Sequence, residues 1–325
     1  MALPALVAVA HGSADPRGAA TIARLMGLVG ELARRDGLAA LDARTAYLGH
    51  APPSVRQVLG ALAGPWPASA VTWPASAVTG PASAVTWPAS AVTGPAHAVR
   101  EAAGVPPAPR HVVVLPLLLT AAYHSEVDLP AVLDEASRAL PGLSISYGQV
   151  LGPDPLLLGA LDRRLAESGV TGPAGDIAVV LAAAGSGRPA ANAAVARLAA
   201  SWQAARGWRA VVPAYASAAA PTPAAAVSAL LHGGAPRVVV ATYLLAPGLF
   251  ADQVAEASLR AGASAVSGAL GAAPEVATII LNRYAEAMAR PGRIGCGPDL
   301  EQPDLEQPDL EQPDLERPAC LGSCR

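Results

Sequence analysis

Residues 111–133 read HVVVLPLLLTAAYHSEVDLPAVL, an apolar run followed by a short polar segment and then by a helical pattern. Such a run is typical of a buried parallel strand that leads into a helix. Residues 6–18, LVAVAHGSADPRG, repeat this arrangement near the start of the chain. His124 and His11 each stand just after an apolar run. Ligands of open α/β sheets bind at the carboxyl ends of the strands, so we expect both histidines at a binding edge.

Strand and helix patterns alternate along the rest of the chain. The first half predicts strands near 5–10, 42–48, 111–117 and 143–149, and helices near 18–35, 53–63, 128–139 and 154–167. The second half predicts strands near 176–182, 208–215, 236–243 and 264–268, and helices near 189–205, 221–232, 249–261 and 273–289. This alternation predicts an α/β protein whose parallel sheets carry helices on both faces.

The two halves also resemble each other, which indicates an internal duplication. The segment VVVLPLLLTAAYHSEVDLP aligns with VVVATYLLAPGLFADQV, and AVAHGSADPRG aligns with LAAAGSGRP. Ala184 occupies the position of His11, and LLAPGLFADQV contains no histidine. A duplicated enzyme with one active half would show this asymmetry.

These patterns predict an N-terminal domain over 1–150, a C-terminal domain over 151–290 and an acidic tail over 291–325. Residues 66–97 repeat WPASAVT or GPASAVT, and residues 298–317 repeat PDLEQ. Proline in every repeat prevents a continuous helix, and the small and polar residues offer little to bury. We therefore interpret the first block as a loop opposite the binding edge and the second as a disordered tail.

Composition argues against several classes of function. The net charge of −3 over 325 residues, with no lysine, provides no basic field for nucleic acid or an anionic membrane. No apolar run reaches the ~18 residues of a membrane span. Cys296, Cys320 and Cys324 all lie in the tail, where they cannot staple the core, so a cytoplasmic location is expected. Nucleotide and hydrolase functions lack their GxGxxG, P-loop or GxSxG motifs.

The motifs AHGSADPR, LPLLLTAAYHSEVDLP and LGPDPLL together resemble the sirohydrochlorin chelatases, class II chelatases of tetrapyrrole biosynthesis. GSGRPAAN and YLLAPGLFADQV resemble the degenerate half of the long members. The resemblance spans about residues 4–290, apart from the first repeat block. It implies two tandem duplicated chelatase-like domains, each a mainly four-stranded parallel sheet. It also implies a lyase-class chelatase that inserts Fe²⁺ or Co²⁺, with Ni²⁺ as a further candidate, for sirohaem or cobalamin synthesis without an organic cofactor.

The resemblance implies that His11 and His124 face each other across a cleft as metal ligands and catalytic proton acceptors. Imidazole suits first-row divalent metals and accepts protons near neutral pH. The acidic residue that the family often has nearby is missing, since the chain has Gly49 and His50 there. His50 is a candidate to replace it. The alternative for a histidine taken alone is a loop residue bonded to backbone.

Arg17, and Arg188 in the other half, are candidates to receive the carboxylates of sirohydrochlorin, because guanidinium binds carboxylate bidentately. Ser13 and Ser125 are further candidates for tetrapyrrole binding. A solvated arginine in a first helical turn and a helix-capping Ser13 are the structural alternatives.

Three acidic residues lie near the two histidines in the sequence. Asp15 and Asp128 are typical helix N-caps. Glu126, beside His124, is either a proton relay or an exposed loop carboxylate. The expected partners are sirohydrochlorin and other tetrapyrrole-pathway enzymes, with no nucleic acid and no membrane. A non-catalytic carrier of metal or tetrapyrrole, or a pseudoenzyme, is the alternative function.

Overall fold

The structure, a computed structural model, describes residues 3–63 and 110–289. These residues form two four-stranded sheets in which all paired strands run parallel. The first sheet, in the order β2-β1-β3-β4, consists of β1 (Ala5–Ala10), β2 (Ala43–Tyr47), β3 (Arg110–Pro116) and β4 (Leu143–Tyr147). The second sheet, in the order β6-β5-β7-β8, consists of β5 (Ile177–Ala183), β6 (Ala210–Tyr215), β7 (Arg237–Tyr243) and β8 (Ala265–Val266). The identical strand order confirms the duplicated parallel α/β fold.

Helices lie between the strands, as the sequence pattern predicts. The first set comprises α1 (Pro16–Arg35), α2 (Val55–Ala63), a π-helical turn (His124–Asp128), α3 (Leu129–Ala139) and α4 (Leu156–Glu167). The second set comprises a 3-10 turn (Ala174–Asp176), α5 (Pro189–Arg206), α6 (Pro223–His232), α7 (Leu249–Arg260) and α8 (Pro274–Ala289). Helix α1 begins where Asp15 accepts a hydrogen bond from the Arg17 backbone N–H and a proline opens the first turn. Asp15 is thus the predicted cap.

Three layers of apolar side chains hold the sheets. The outer face of the first sheet packs around Val7 and Leu133, and that of the second around Val180 and Val227. The inner faces of both sheets contribute to one continuous core that includes Leu6 and the other buried residues of α1, α4 and α8. Burial of alternate strand residues on opposite faces follows from the pleat. The shared inner core joins the two halves into one body.

Helices α4 and α8 also join the two halves. Helix α4 contacts β7 of the second sheet, whereas α8, the last described helix, contacts β3 and β4 of the first. Arg283 on α8 forms an ion pair with Asp154, with 3.0 Å between nitrogen and oxygen and both side chains largely buried. An amphipathic pattern reveals which side of a helix is buried but not which sheet buries it, so the sequence does not predict this arrangement.

The two repeat blocks, His97 and the three cysteines lie outside the described residues, and their interpretations stay predictions. Within residues 3–63 and 110–289, no helix has the length and apolar character needed to cross a bilayer.

Candidate functional site

A cavity of about 810 Å³ lies between the two halves. Its walls come from the segments that follow β1, β2 and β3 and from those that follow β5, β6 and β7. This volume falls within the ~300–1,000 Å³ typical of small-molecule sites. The carboxyl ends of the strands in both sheets therefore open onto one cavity.

His11 and His124 line this cavity together. Their ring centroids are 4.6 Å apart and the rings meet edge to face at 77°. His11 directly follows β1, and His124 opens the π-helical turn after β3, the strand paired with β1. Pairing of the two strands thus brings together histidines that are far apart in the sequence.

The Nδ1 atoms of both histidines are hydrogen-bonded to groups that can only accept. His124 Nδ1 lies 2.6 Å from the Asp128 carboxylate, and His11 Nδ1 lies 3.2 Å from the Gly12 carbonyl oxygen. Because a carbonyl oxygen or a carboxylate accepts, each Nδ1 donates and the neutral ring keeps its lone pair on Nε2. Neither Nε2 hydrogen-bonds to another described residue. Both lone pairs are therefore available to a metal ion or a proton.

Asp128 does not cap a helix, contrary to the interpretation drawn from the sequence. Its side chain makes no capping hydrogen bond at the start of α3 and reaches back to His124. The five-residue π-helical turn His124–Asp128 keeps the two side chains on one side of the chain. The sequence favoured an N-cap because an aspartate just before Leu129 and Pro130 is typical of a helix start.

His50 also lines the cavity, with its ring stacked on that of His11 at 6.2 Å between centroids. Its backbone has φ of 61°, a left-handed conformation that is uncommon for residues other than glycine. Ala218 occupies the matching position of the second half and has φ of 57°. The unusual backbone therefore belongs to the duplicated fold, and only the imidazole is special to the first half.

The turn after β1 requires glycine for a steric reason. Gly12 has φ of 92°, and a Cβ placed on it would lie 1.7 Å from the Gly49 carbonyl oxygen. Gly185, its counterpart after β5, has φ of 88°, and its Cβ would lie 1.9 Å from the Ser217 carbonyl oxygen. No side chain fits either turn without backbone movement.

The two predicted serines differ in their surroundings. Ser13 is exposed, lines the cavity and accepts a hydrogen bond of 3.0 Å from the Asp15 backbone N–H. Ser125 is buried, with its hydroxyl donating to the Ala122 carbonyl oxygen and accepting from the Ala122 N–H. Ser125 does not line the cavity. Its hydrogen bonds support the loop that carries His124.

Both predicted arginines form ion pairs between the halves. Arg17 contacts Asp15 beside it and Asp252 of the second half, each with a nitrogen–oxygen distance of 2.5 Å. Arg188 contacts Glu126 of the first half. Asp252 and Glu126 hold equivalent positions in the duplicated segments. The two pairs therefore connect the halves through equivalent loops.

An acid, an arginine and two phenols around the cavity have shifted pKa values. Hydrogen bonds from Arg17 lower the pKa of Asp15, and hydrogen bonds to Asp15 and Asp252 raise the pKa of Arg17. Burial raises the pKa of Tyr47 and Tyr243, which both line the cavity. Both phenols are therefore neutral at physiological pH.

The wall contributed by the second half has no histidine. Counting from the paired strands, Ala184 matches His11 and Phe250 matches His124, and both line the cavity. Among the described residues, no group of three or more histidine, cysteine, aspartate or glutamate side chains is arranged to hold a metal. An ion held by the two imidazoles of His11 and His124 would have further positions open to another molecule.

Curated relatives of this chain are chelatases. A sirohydrochlorin cobaltochelatase of Priestia megaterium is 28% identical over 193 residues, which are 57% of this chain and 63% of that protein. A sirohydrochlorin ferrochelatase of Bacillus subtilis is 28% identical over 183 residues, 55% of this chain and 69% of that protein. The chain thus matches less than two thirds of the length of the first relative.

A solved structure shares the fold. SirB from Bacillus subtilis with Fe³⁺ superimposes with a TM-score of 0.63 at 21% identity, covering 88% of this chain and 96% of that one. A model of the CbiX family matches residues 96–168 and 178–287, more than half of the sequence. The duplicated fold and this match together show that the chain belongs to the CbiX family.

Proposed function

We propose that this protein is a sirohydrochlorin chelatase that inserts Fe²⁺ or Co²⁺ into its substrate. The observation that carries the proposal is the pair of imidazoles in the cavity, each with its Nε2 lone pair unused. The names of the two relatives supply the tetrapyrrole and the metals. Sirohydrochlorin is the expected partner, and the metal is a second substrate.

The spacing of the two rings allows both to contact one metal ion. With metal–nitrogen bonds of about 2.1 Å, two imidazoles whose centroids are 4.6 Å apart can contact one ion. Imidazole binds all the first-row candidates, and affinity rises in a fixed order that the protein hardly alters. With two imidazole ligands, the ion keeps open positions for the macrocycle nitrogens. A closed four-ligand site would retain the ion.

The same nitrogens can take up the protons that insertion releases. Insertion exchanges one divalent ion for two pyrrole N–H protons. As the ion moves to the macrocycle, His11 and His124 each regain the Nε2 lone pair. Each ring can then accept one proton and pass it to solvent, because an imidazole is basic enough near neutral pH. Charge balances, and no covalent intermediate forms.

Asp128 is a positioning residue in this proposal. Its carboxylate holds the Nδ1–H of His124 at 2.6 Å and so directs Nε2 toward the cavity. Outer partners of this kind orient metal-binding histidines and raise their basicity. We propose that Asp128 acts through His124 and does not itself bind the substrate.

The two arginines are already paired with carboxylates of the protein. Arg17 and Arg188 already contact Asp252 and Glu126, so a carboxylate of sirohydrochlorin would have to displace one of these partners. Ser13 is exposed on the cavity wall and needs no such exchange. We keep Arg17 and Ser13 as proposed contacts and assign Ser125 to the support of its loop.

Anaerobic metallation of sirohydrochlorin, followed by absorbance with Fe²⁺, Co²⁺ or Ni²⁺, tests the proposal. We expect multiple turnovers above the spontaneous rate for the natural chain, loss of turnover in His124→Ala, and retention in His232→Ala. His232 is a matched control because its Nδ1 bonds to the Ser228 carbonyl oxygen in α6, and it does not line the cavity. Stoichiometric binding without turnover would contradict the enzyme and favour a metal or tetrapyrrole carrier.

A further inference from the structure

We propose that Phe250 and Leu249, at the start of α7, form an apolar platform on which one face of the tetrapyrrole macrocycle lies. The inference rests on the proposed function. Both side chains line the cavity, with Leu249 69% and Phe250 49% exposed. Large apolar side chains exposed together at a cavity are typical of ligand contact. The platform is therefore part of the site that holds the histidines.

The loop before the platform touches the histidine-bearing motif of the first half. A Cβ placed on Gly248 would lie 3.9 Å from Ser13 Oγ, and one placed on Gly18 would lie 3.7 Å from the Pro247 carbonyl oxygen. The Arg17–Asp252 ion pair joins the same two segments. These contacts hold the start of α7 beside the turn that follows His11.

The duplication places Phe250 of the platform at the position that corresponds to His124. Phe250 stands where the first half has His124, so the side chain that offers a lone pair in one half offers an apolar ring in the other. A phenyl ring neither binds the ion nor accepts a proton, but it stacks on a flat conjugated macrocycle. The metal then reaches the macrocycle from the histidine side while the second half positions the ligand.

The chemistry of the ligand fits this division. A tetrapyrrole has two apolar faces and carries its carboxylates at the edge, so its faces need apolar contact and its centre needs the imidazoles. We assign Phe250 as a positioning residue, with Leu249 beside it. The ligand class is a planar macrocycle with charged edge groups.

Titration of metal-free sirohydrochlorin by absorbance or fluorescence tests the platform separately from insertion. We expect Phe250→Ala to raise the Kd about tenfold, the order that loss of one stacked ring produces. KM for sirohydrochlorin should rise by a similar factor with kcat less affected, because the ring binds ground state and transition state alike. Phe250→Tyr should restore binding. Leu259→Ala is the control, since Leu259 lies on the same helix, is 53% exposed and does not line the cavity.

Each outcome bears on the platform differently from the chelatase function. If the natural chain binds and metallates sirohydrochlorin, but Phe250→Ala binds it equally well, the platform is wrong and the chelatase stands. If Leu259→Ala weakens binding as much as Phe250→Ala, or Phe250→Tyr fails to restore it, stacking is also contradicted. Absence of both binding and metallation in the natural chain overturns the platform and the proposed function together.

Discussion

The two halves of the molecule build the same loops and place different chemistry on them. In each half, a glycine with positive φ follows the first strand, and a residue in the left-handed conformation follows the second strand. The side chains at three matching positions differ: His11, His50 and His124 in the first half, and Ala184, Ala218 and Phe250 in the second. All of these except Ala218 line the cavity. The backbone geometry of these turns is therefore present in both halves, whereas the imidazoles are present in the first half alone at these positions.

The largest expected effect tests whether the histidines that are present only in the first half are needed for metallation. His11→Ala should lower sirohydrochlorin metallation by at least about 100-fold, because it removes both a metal ligand and a proton acceptor. His111→Ala should leave turnover close to normal, since His111 lies on β3 with Nε2 bonded to Ser146 and does not line the cavity. Steady-state rates with saturating Co²⁺ measure both. Normal turnover in a folded His11→Ala protein would remove His11 from the mechanism.

The next effect concerns what the halves share. Gly12→Ala and Gly185→Ala should each lower the free energy of unfolding by about 2–3 kcal/mol, because alanine is strained at positive φ and its Cβ meets a backbone carbonyl. Denaturant unfolding of the two variants measures this, with Gly37→Ala as control. Gly37 also has positive φ, at 80°, but a Cβ there meets nothing within 4 Å. If only Gly12→Ala destabilised the protein beyond this control, the duplicated turns would not be equivalent.

A smaller effect is expected at Asp128, which the first half uses to direct His124. Asp128→Ala should lower kcat about tenfold, the lower end for loss of a partner that orients a metal-binding histidine. Asp128→Asn should recover much of the rate, because its amide oxygen still accepts the Nδ1–H at this position. Metal-free tetrapyrrole binding should be unchanged in both. Equal losses in the two variants would show that the carboxylate charge matters more than the hydrogen bond.

The smallest effect concerns an ion pair that joins the halves. Arg188 and Glu126 are 44% and 46% exposed, so their coupling should lie below about 1 kcal/mol and fall as salt is added. A double-mutant cycle with Arg188→Ala and Glu126→Ala, read by denaturant unfolding at two salt concentrations, measures it. Coupling of several kcal/mol that persists in high salt would mean that the pair holds the halves together.

Much of the fold follows from patterns in the sequence. The segments that form β1, β3, β5 and β7 are mainly apolar, as expected for strands buried on both faces. The repeated order of strands and helices indicates the duplication. Placement of α8 against the first sheet was not predictable, because hydrophobic periodicity gives a buried side without its partner.

The positions of the two histidines were predictable, whereas their contacts were not. Each histidine stood at a strand end, and the rule that ligands bind there placed both on one wall. The contact between His124 and Asp128 depends on a π-helical turn, which leaves no periodic signal in five residues. The sequence does not identify Phe250 as a ligand contact, because a single aromatic residue in a helix pattern indicates burial in the core as readily as a binding site.

The division of labour between the halves is tested most directly in the His124→Ala variant. Binding of metal-free sirohydrochlorin and single-turnover insertion of Co²⁺ would be measured on the same protein under anaerobic conditions. We expect the variant to bind sirohydrochlorin with the same Kd as the natural chain but to lose insertion. The second half would still hold the macrocycle, whereas the first half would have lost a metal ligand and a base. Insertion at the natural rate, or loss of binding equal to the loss of insertion, would contradict the account.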